Sequence, residues 1–315
     1  MAIPLVAAFI LDLFIGDPPF KAHPVRLIGS MLDLLERWLY PLNRKCSAGL
    51  LMVVLALLVV YGVTGLLVSL FSLTLPLGLN PVAMLLLFFL LCNRDMVREA
   101  RAVYRLLDQN RIAEARVQVG RIVGRDTGDL EKAEIIRAAV ESVSENIVDG
   151  FTAPMFYLAI GGVPMAYAYK TVNTIDSRFG YRNEAYERFG KVGARLDDLL
   201  NFIPARINAA CLFCASGFRR RVLLTMLRFG RRHPSPNSGI SEAGFAGYLG
   251  MALGGPSRYG GSLKRKPWIG RDAVSTAELG NPRLILRAIG LYWRTVGVTL
   301  FLFLALMTLL RLPLL

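Results

Sequence analysis

Histidine and cysteine are scarce in this 315-residue sequence, with two of the first, His23 and His233, and four of the second. A Ser–His–Asp triad would have to draw on one of those two histidines, and each lies in a turn sequence. Cys211 and Cys214 form a C-x-x-C inside an apolar stretch, with no second ligand pair nearby. Small residues packing a membrane helix account for it better than zinc or redox chemistry, and no disulfide framework is implied. The G-x-x-x-x-G-K-[ST] phosphate loop, the G-x-G-x-x-G dinucleotide fingerprint and the H-E-x-x-H zinc helix are all missing. Charge is thin too, at 19% of residues, and short of acid: Lys+Arg number 37 against 23 Asp+Glu, a net +14. No basic stretch precedes the first apolar run, so the N-terminus reads as an anchor rather than a cleaved signal. No internal repeat or low-complexity tract stands out.

What is abundant is apolar sequence, 54% of the chain at a mean hydropathy of +0.45, and it comes in blocks. Residues 48–75 carry no charge at all, more than the roughly 20 residues that cross a bilayer. Residues 291–310 form a second such run, broken only by Arg294. Residues 3–15 are apolar except for Asp12, and 81–91 return from an uncharged turn. The basic excess then fits loops held in the cytoplasm against anionic headgroups, and nucleic acid is not the partner. The expected fold class is all-α: a polytopic integral membrane protein with cytoplasmic helical hairpins and re-entrant or interfacial helices. One membrane-embedded catalytic domain covers 1–315, with 93–150 as a cytoplasmic helical portion and 219–290 as a cytoplasmic or interfacial one.

Within 93–147, Val97, Ala100, Val103 and Leu107 recur at helical spacing, as do Ile136, Val140, Val143 and Ile147. Thr127 or Asp129 is the expected N-cap of the second helix. Residues 151–168 contain Pro154, Gly161-Gly162 and Pro164, and 199–218 contain Pro204 and Arg206. The loop between them is basic, so at least one of the two is expected to be re-entrant or packed at the interface. Residues 218–233 mix six arginines with Val222, Leu223, Leu224, Met226, Leu227 and Phe229, an interfacial amphipathic helix. Gly244, Gly247, Gly250 and Gly254 then follow at helical spacing.

Polar side chains beside membrane segments cost free energy, so they need a use. Gly16-Asp17-Pro18 with His23 closes the first apolar helix, either as part of a site or as a helix stop. Gly124-Arg125-Asp126-Thr127 is a turn that holds phosphate through N–H groups or simply joins two helices. Glu141, Glu145 and Asp149 lie at i, i+4 and i+8, with Ser142 and Asn146 alongside. Like charges so spaced repel, so a cation or basic partner belongs among them; Mg²⁺ with phosphates suits oxygen ligands, and a salt-bridged face is the other reading. Lys170, Asn173, Thr174, Asp176, Ser177 and Tyr181, then Asp197, Asp198 and Asn201, are too varied for a plain amphipathic helix. Ser235, Asn237, Ser238, Glu242 and Lys266 frame the glycine run, whose glycines admit a close helix or a planar ligand. The residues alone therefore lead to a membrane-edge site for an anionic, phosphate-bearing substrate.

In order along the chain, GDPPFKAHPVRLIG from Gly16, IVGRDT from Ile122, ESVSENIVDGFTAPMFY from Glu141 and GGVPMAYAYKTVNTIDS from Gly161 resemble a known family. DDLLNFIPARI from Asp197, SPNSGISEAGFAGYLGMALGG from Ser235 and KPWIG from Lys266 continue the match. The family is the cobinamide-phosphate synthases of cobalamin biosynthesis, the CbiB/CobD type. The resemblance implies attachment of (R)-1-amino-2-propanol or its O-phosphate to the corrinoid adenosylcobyric acid. It implies an ATP-dependent ligase working through an acyl phosphate with Mg²⁺, in the inner (plasma) membrane, with the site facing the cytoplasm. On that basis Glu141, Glu145 and Asp149 are the expected metal ligands and, with Asp176, candidates for general base. Lys170, Arg125 and Arg206 are expected to stabilise transferring phosphate. Asn173, Ser177 and Asn237 are expected to orient substrate. Asp17, His23, Asp126, Thr127, Asn146, Tyr181, Asp197, Asn201, Ser235, Ser238, Glu242 and Lys266 are further expected substrate contacts, with 244–255 as a platform for the corrin ring. Membrane lipid is an expected partner, and a homo-oligomer is compatible. The competing readings are a transporter of an anionic substrate, without the inverted repeat such folds carry, and a membrane regulator.

Overall fold

The computed structural model describes residues 2–16, 18, 20, 22–71, 80–91, 93–180, 186–270 and 280–309. In chain order come α1 (Ala2–Ile15), α2 (Pro24–Leu39), α3 (Lys45–Leu70), α4 (Pro81–Leu90), α5 (Asn93–Asp108), α6 (Ile112–Val119) and α7 (Lys132–Ile147). A π-helical turn, Val148–Thr152, leads into α8 (Ala153–Phe179). Then follow α9 (Lys191–Leu200), α10 (Phe202–Ala215), α11 (Arg220–Phe229), α12 (Ser238–Leu249), the strands β1 (Leu253–Tyr259) and β2 (Ser262–Ile269), and α13 (Arg283–Leu309). The molecule is thus an all-α membrane protein with one antiparallel hairpin among the described residues. Among the described residues, three stretches are long and apolar enough to cross a bilayer: Lys45–Leu70, Lys132–Phe179 and Arg283–Leu309. Residues 191–215 form a fourth only if α9 and α10, broken at Asn201, are taken together.

The chain divides into two compact units. The first, residues 1–92, 149–201 and 302–315, holds α1–α4, α8 and α9. In α3 the residues Ala48, Met52, Val53, Ala56, Val60, Thr64 and Val68 recur every three or four positions and are buried. Leu50, Leu51, Val54, Leu58 and Leu66 on the same helix are exposed, the pattern of a helix packed on one side and wetted by hydrocarbon on the other. Thr64 returns its hydroxyl to Val60 O at 2.6 Å, which removes the cost of a polar group at that depth. The helix α8 is broken internally, with non-helical backbone at Gly161 and Gly162 just before Pro164, whose ring cannot donate to the helix ladder.

The second unit, residues 93–148 and 202–301, holds α5–α7, α10–α12 and the hairpin. The spacing of Val97, Ala100, Val103 and Leu107 becomes the buried face of α5. Capping of α7 differs from expectation. Its N-cap is Glu131, and the Glu134 carboxylate accepts the Glu131 N–H at 3.0 Å, so neither Thr127 nor Asp129 takes that place.

The glycine run also departs from one continuous helix. Gly250 adopts φ +75 and ends α12 in the left-handed conformation that glycine takes most easily. Gly254 and Gly255, both at φ +77, then begin β1, where the register shifts between Gly254 and Pro256. The helical spacing was real only as far as Gly247. There a Cβ would sit 2.8 Å from Thr225 Oγ1 and 3.0 Å from Val222 Cα, so glycine lets α11 lie against α12.

Candidate active site

In the second unit, the loop 122–125, α7, His233, α12 and the hairpin enclose a cavity of about 110 Å³. Five of the expected site residues line it: Arg125, Glu141, Glu145, Asn146 and Glu242, and the hairpin adds a sixth, Lys266. Its wall is an ion pair. Arg125 pairs with Glu141, the two side chains 6% and 10% exposed, and donates from its other terminal nitrogen to Ser257 Oγ at 2.9 Å. The second Glu141 oxygen accepts the Gly254 N–H at 2.6 Å. Both oxygens of Glu141 are therefore engaged, one by a cation and one by the hairpin backbone, which satisfies a buried charge as burial demands. Arg137, one turn earlier on α7, lays its guanidinium 4.9 Å from the Trp268 ring centroid.

Asp126 faces the hairpin turn rather than the cavity. Its N–H donates to Arg258 O at 2.9 Å, and its carboxylate accepts from Gly260 N at 3.1 Å and Gly261 N at 2.7 Å. Thr127 likewise stays in the helix connection, its carbonyl accepting the Leu130 N–H at 3.3 Å. Ser142 holds the loop from below by donating to Ile122 O at 2.6 Å, and Asn146 donates back to Ser142 O at 2.9 Å.

On the opposite wall, Glu145, His233 and Glu242 converge, with their possible ligand atoms all within 4.8 Å of one another. His233 Nε2 is 3.4 Å from a Glu242 oxygen and 4.0 Å from one of Glu145. His233 Nδ1 accepts the Ser235 N–H at 3.0 Å, which leaves the ring proton on Nε2, facing the carboxylates. Burial, then Lys266, pushes the imidazole down to about 4, so it stays neutral at physiological pH. Burial, then Glu145 and Glu141, holds the Glu242 carboxyl well above the ordinary range. Burial works against the Lys266 ammonium, but Tyr259, Glu145 and Glu242 outweigh it and leave Lys266 raised.

This donor set fits a hard divalent cation through Glu145 and Glu242, because Mg²⁺ is commonly held by one or two carboxylates together with substrate phosphates. The imidazole fits less well as a direct ligand, since its Nε2 carries the proton. That buried Nε2 makes no hydrogen bond among the described residues and lies 3.4 Å from a Glu242 oxygen.

Asp149, grouped with these carboxylates by spacing, belongs to the first unit, because the π-helical turn begins between Ile147 and Asp149. There it joins Tyr169, Lys170, Asn173, Asp197 and Asn201. Tyr169 Oη donates to Asn201 Oδ1 at 2.9 Å and lies 3.3 Å from Asp149 Oδ1. Lys170 Nζ donates to Asn173 Oδ1 at 3.1 Å, and Asn201 Nδ2 to Asp197 Oδ2 at 3.0 Å. Ser177 turns back on Asn173 O at 2.8 Å, and Asp176 O accepts the Gly180 N–H at 2.7 Å.

His23 is buried between Phe20 and Phe89 in the first unit, an aromatic packing position. Arg206 donates to Asn237 Oδ1 at 2.7 Å, and Asn237 N–H to Ser235 Oγ at 3.3 Å, just ahead of Ser238 at the start of α12. That loop sets the orientation of His233. Asp17 and Tyr181 lie outside the described residues.

Three cavity residues carried no clear signal in the sequence: His233, Ser257 and Tyr259. The last two arrive on a hairpin that starts where the glycine run ends, and His233 stood two residues ahead of the noticed Ser235-Pro236-Asn237 turn.

A family model described as "CobD/Cbib protein" matches residues 5–292. The chain belongs to that family. Among its relatives, "Cobalamin biosynthesis protein CbiB" of Salmonella typhi is 41% identical over 309 residues, 95% of each chain. "Cobalamin biosynthesis protein CobD" of Klebsiella pneumoniae subsp. pneumoniae is 42% identical over 309 residues, 94% of each. The protein of that name from Photorhabdus laumondii subsp. laumondii is 43% identical over 284 residues, 84% of this chain and 86% of the relative. No solved structure matches. With CobD/Cbib membership comes a role in cobalamin biosynthesis, carried out by a membrane enzyme.

Proposed function

We propose that this CobD/Cbib protein joins the free carboxylate of adenosylcobyric acid to the amine of (R)-1-amino-2-propanol or its O-phosphate, at the expense of ATP. The observation that carries the reading is a small cavity where two converging carboxylates face a lysine. A carboxylate and an amine do not condense usefully in water, because the carboxylate oxygen is a poor leaving group. ATP, when bound, supplies the remedy by taking that oxygen as phosphate. The amine nitrogen then bonds to the acyl carbon, the acyl–oxygen bond breaks to release inorganic phosphate, and the nitrogen gives its proton to water.

The chain's own part is electrostatic. Lys266 meets the negative charge of the phosphoryl group. Glu145 and Glu242 would hold Mg²⁺, and the His233 Nε2–H, 3.4 Å from Glu242, would orient that carboxylate on the ion. The Arg125–Glu141–Gly254 contacts hold the hairpin, and with it Lys266, against α7. At about 110 Å³ the cavity is smaller than the ~300–1,000 Å³ of sites for drug-sized ligands, so it suits the reacting ends rather than a whole corrin ring or nucleotide.

The test is to incubate purified protein in detergent with adenosylcobyric acid, aminopropanol or its phosphate, and Mg-ATP, and to follow product by mass. An amide product and ADP, formed without any ion gradient, are the expected result. Absence of product with both amines overturns the reading and favours transport or regulation.

A further inference from the structure

The helix α11 and its flanks carry arginines at 219, 220, 221, 228, 231 and 232, all exposed. No aspartate or glutamate occurs between Asp198 and Glu242 in the sequence. The stretch is therefore strongly basic in sequence, with no acid of its own. The same face exposes large apolar side chains: Phe218 at 66%, Leu224 at 50% and Leu227 at 71%.

Two clefts flank the helix within the second unit. One, about 470 Å³, is lined by Arg220, Arg221, Leu224, Arg228 and Phe229; the other, about 460 Å³, by Arg206, Arg231, Phe213, Leu223 and Leu227. Each cleft pairs guanidinium with hydrocarbon.

We propose that these two clefts bind anionic phospholipid, with headgroup phosphate on the arginines and acyl chain along the leucines and phenylalanines. A soluble phosphate would use the guanidinium groups but leave the exposed leucines in water. A lipid satisfies both, because an amphipathic basic helix gains from apolar burial and from the negative surface together. The arginine fork also suits phosphate better than a point charge does. The site is distinct from the cavity on α7, and the inference stands whether or not the ligase reading does.

The experiment is native mass spectrometry of the purified full chain in neutral detergent, supplemented with phosphatidylglycerol or phosphatidylcholine. The expected result is retention of phosphatidylglycerol over phosphatidylcholine by roughly tenfold or more. The variant R220Q/R231Q/R232Q loses that preference. R101Q/R105Q/R121Q, which removes three exposed arginines elsewhere in the same unit, keeps it. Equal retention of the two lipids, equal loss in both variants, or displacement of the lipid by equimolar inorganic phosphate overturns the proposal.

Discussion

Arg125 and Glu141 form a buried ion pair that ties the turn before α7 to α7 itself, with the hairpin closing over it through Ser257 and Gly254. Removing one partner strands a charge out of reach of water, whereas removing both does not. Arg125→Ala should therefore cost about 3–5 kcal/mol of stability, and Arg125→Met combined with Glu141→Gln should recover a large share of it. Thermal unfolding in detergent reads both, and a double variant no more stable than the single one would count against this account.

Asp126 acts on the same hairpin from its turn. Its carboxylate takes two N–H groups, from Gly260 and Gly261, as charge-assisted bonds. Asp126→Ala should leave the helices folded and loosen the turn. Hydrogen exchange at Gly260 and Gly261 should accelerate by about tenfold or more, as follows from losing bonds of roughly 1.5–3 kcal/mol each. Unchanged exchange there would show that the strands hold themselves.

The pair Glu145 and Glu242 can be tested by its cation. Mn²⁺, a paramagnetic substitute for Mg²⁺, should bind the wild-type chain and lose detectable binding in Glu242→Gln, with product formation lost as well. His233→Ala, which removes only the orienting donor, should weaken Mn²⁺ by about 10–100-fold. Electron paramagnetic resonance of free Mn²⁺ measures both, and wild-type binding in Glu242→Gln would remove that residue from the cation site.

Gly247 tests the helix packing. Gly247→Val places atoms where Thr225 and Val222 already stand and should cost about 1–3 kcal/mol through overpacking. Gly260→Val strains a left-handed backbone, at φ +56, while its added Cβ meets no neighbour, so it separates backbone conformation from packing. A melting temperature for Gly247→Val equal to the wild type would refute the close approach.

How much of this could be read beforehand varied with the range of the forces involved. The charge-free run in α3 and the three-and-four spacing in α5 and α7 are local, and they became the helices they suggest. The carboxylates at 141 and 145 reached one cavity because they share α7, while Asp149 lies within the π-helical turn that no local spacing announces. The hairpin was invisible for a different reason. Its strands are rich in glycine, proline and basic residues, which have low strand propensity. Contacts from Asp126 and Glu141, more than a hundred residues earlier, help to hold it. With the hairpin went Ser257 and Tyr259.

The network of Tyr169, Asn173, Asp197 and Asn201 joins α8 to α9 inside the first unit. Neither helix can rest in lipid alone, since each would expose carboxylate or amide groups to hydrocarbon until the other arrived. The polar groups that α8 turns toward α9 are therefore satisfied only once α9 is packed against it. The polar groups between them make biogenesis of this protein a cooperative event rather than a helix-by-helix one.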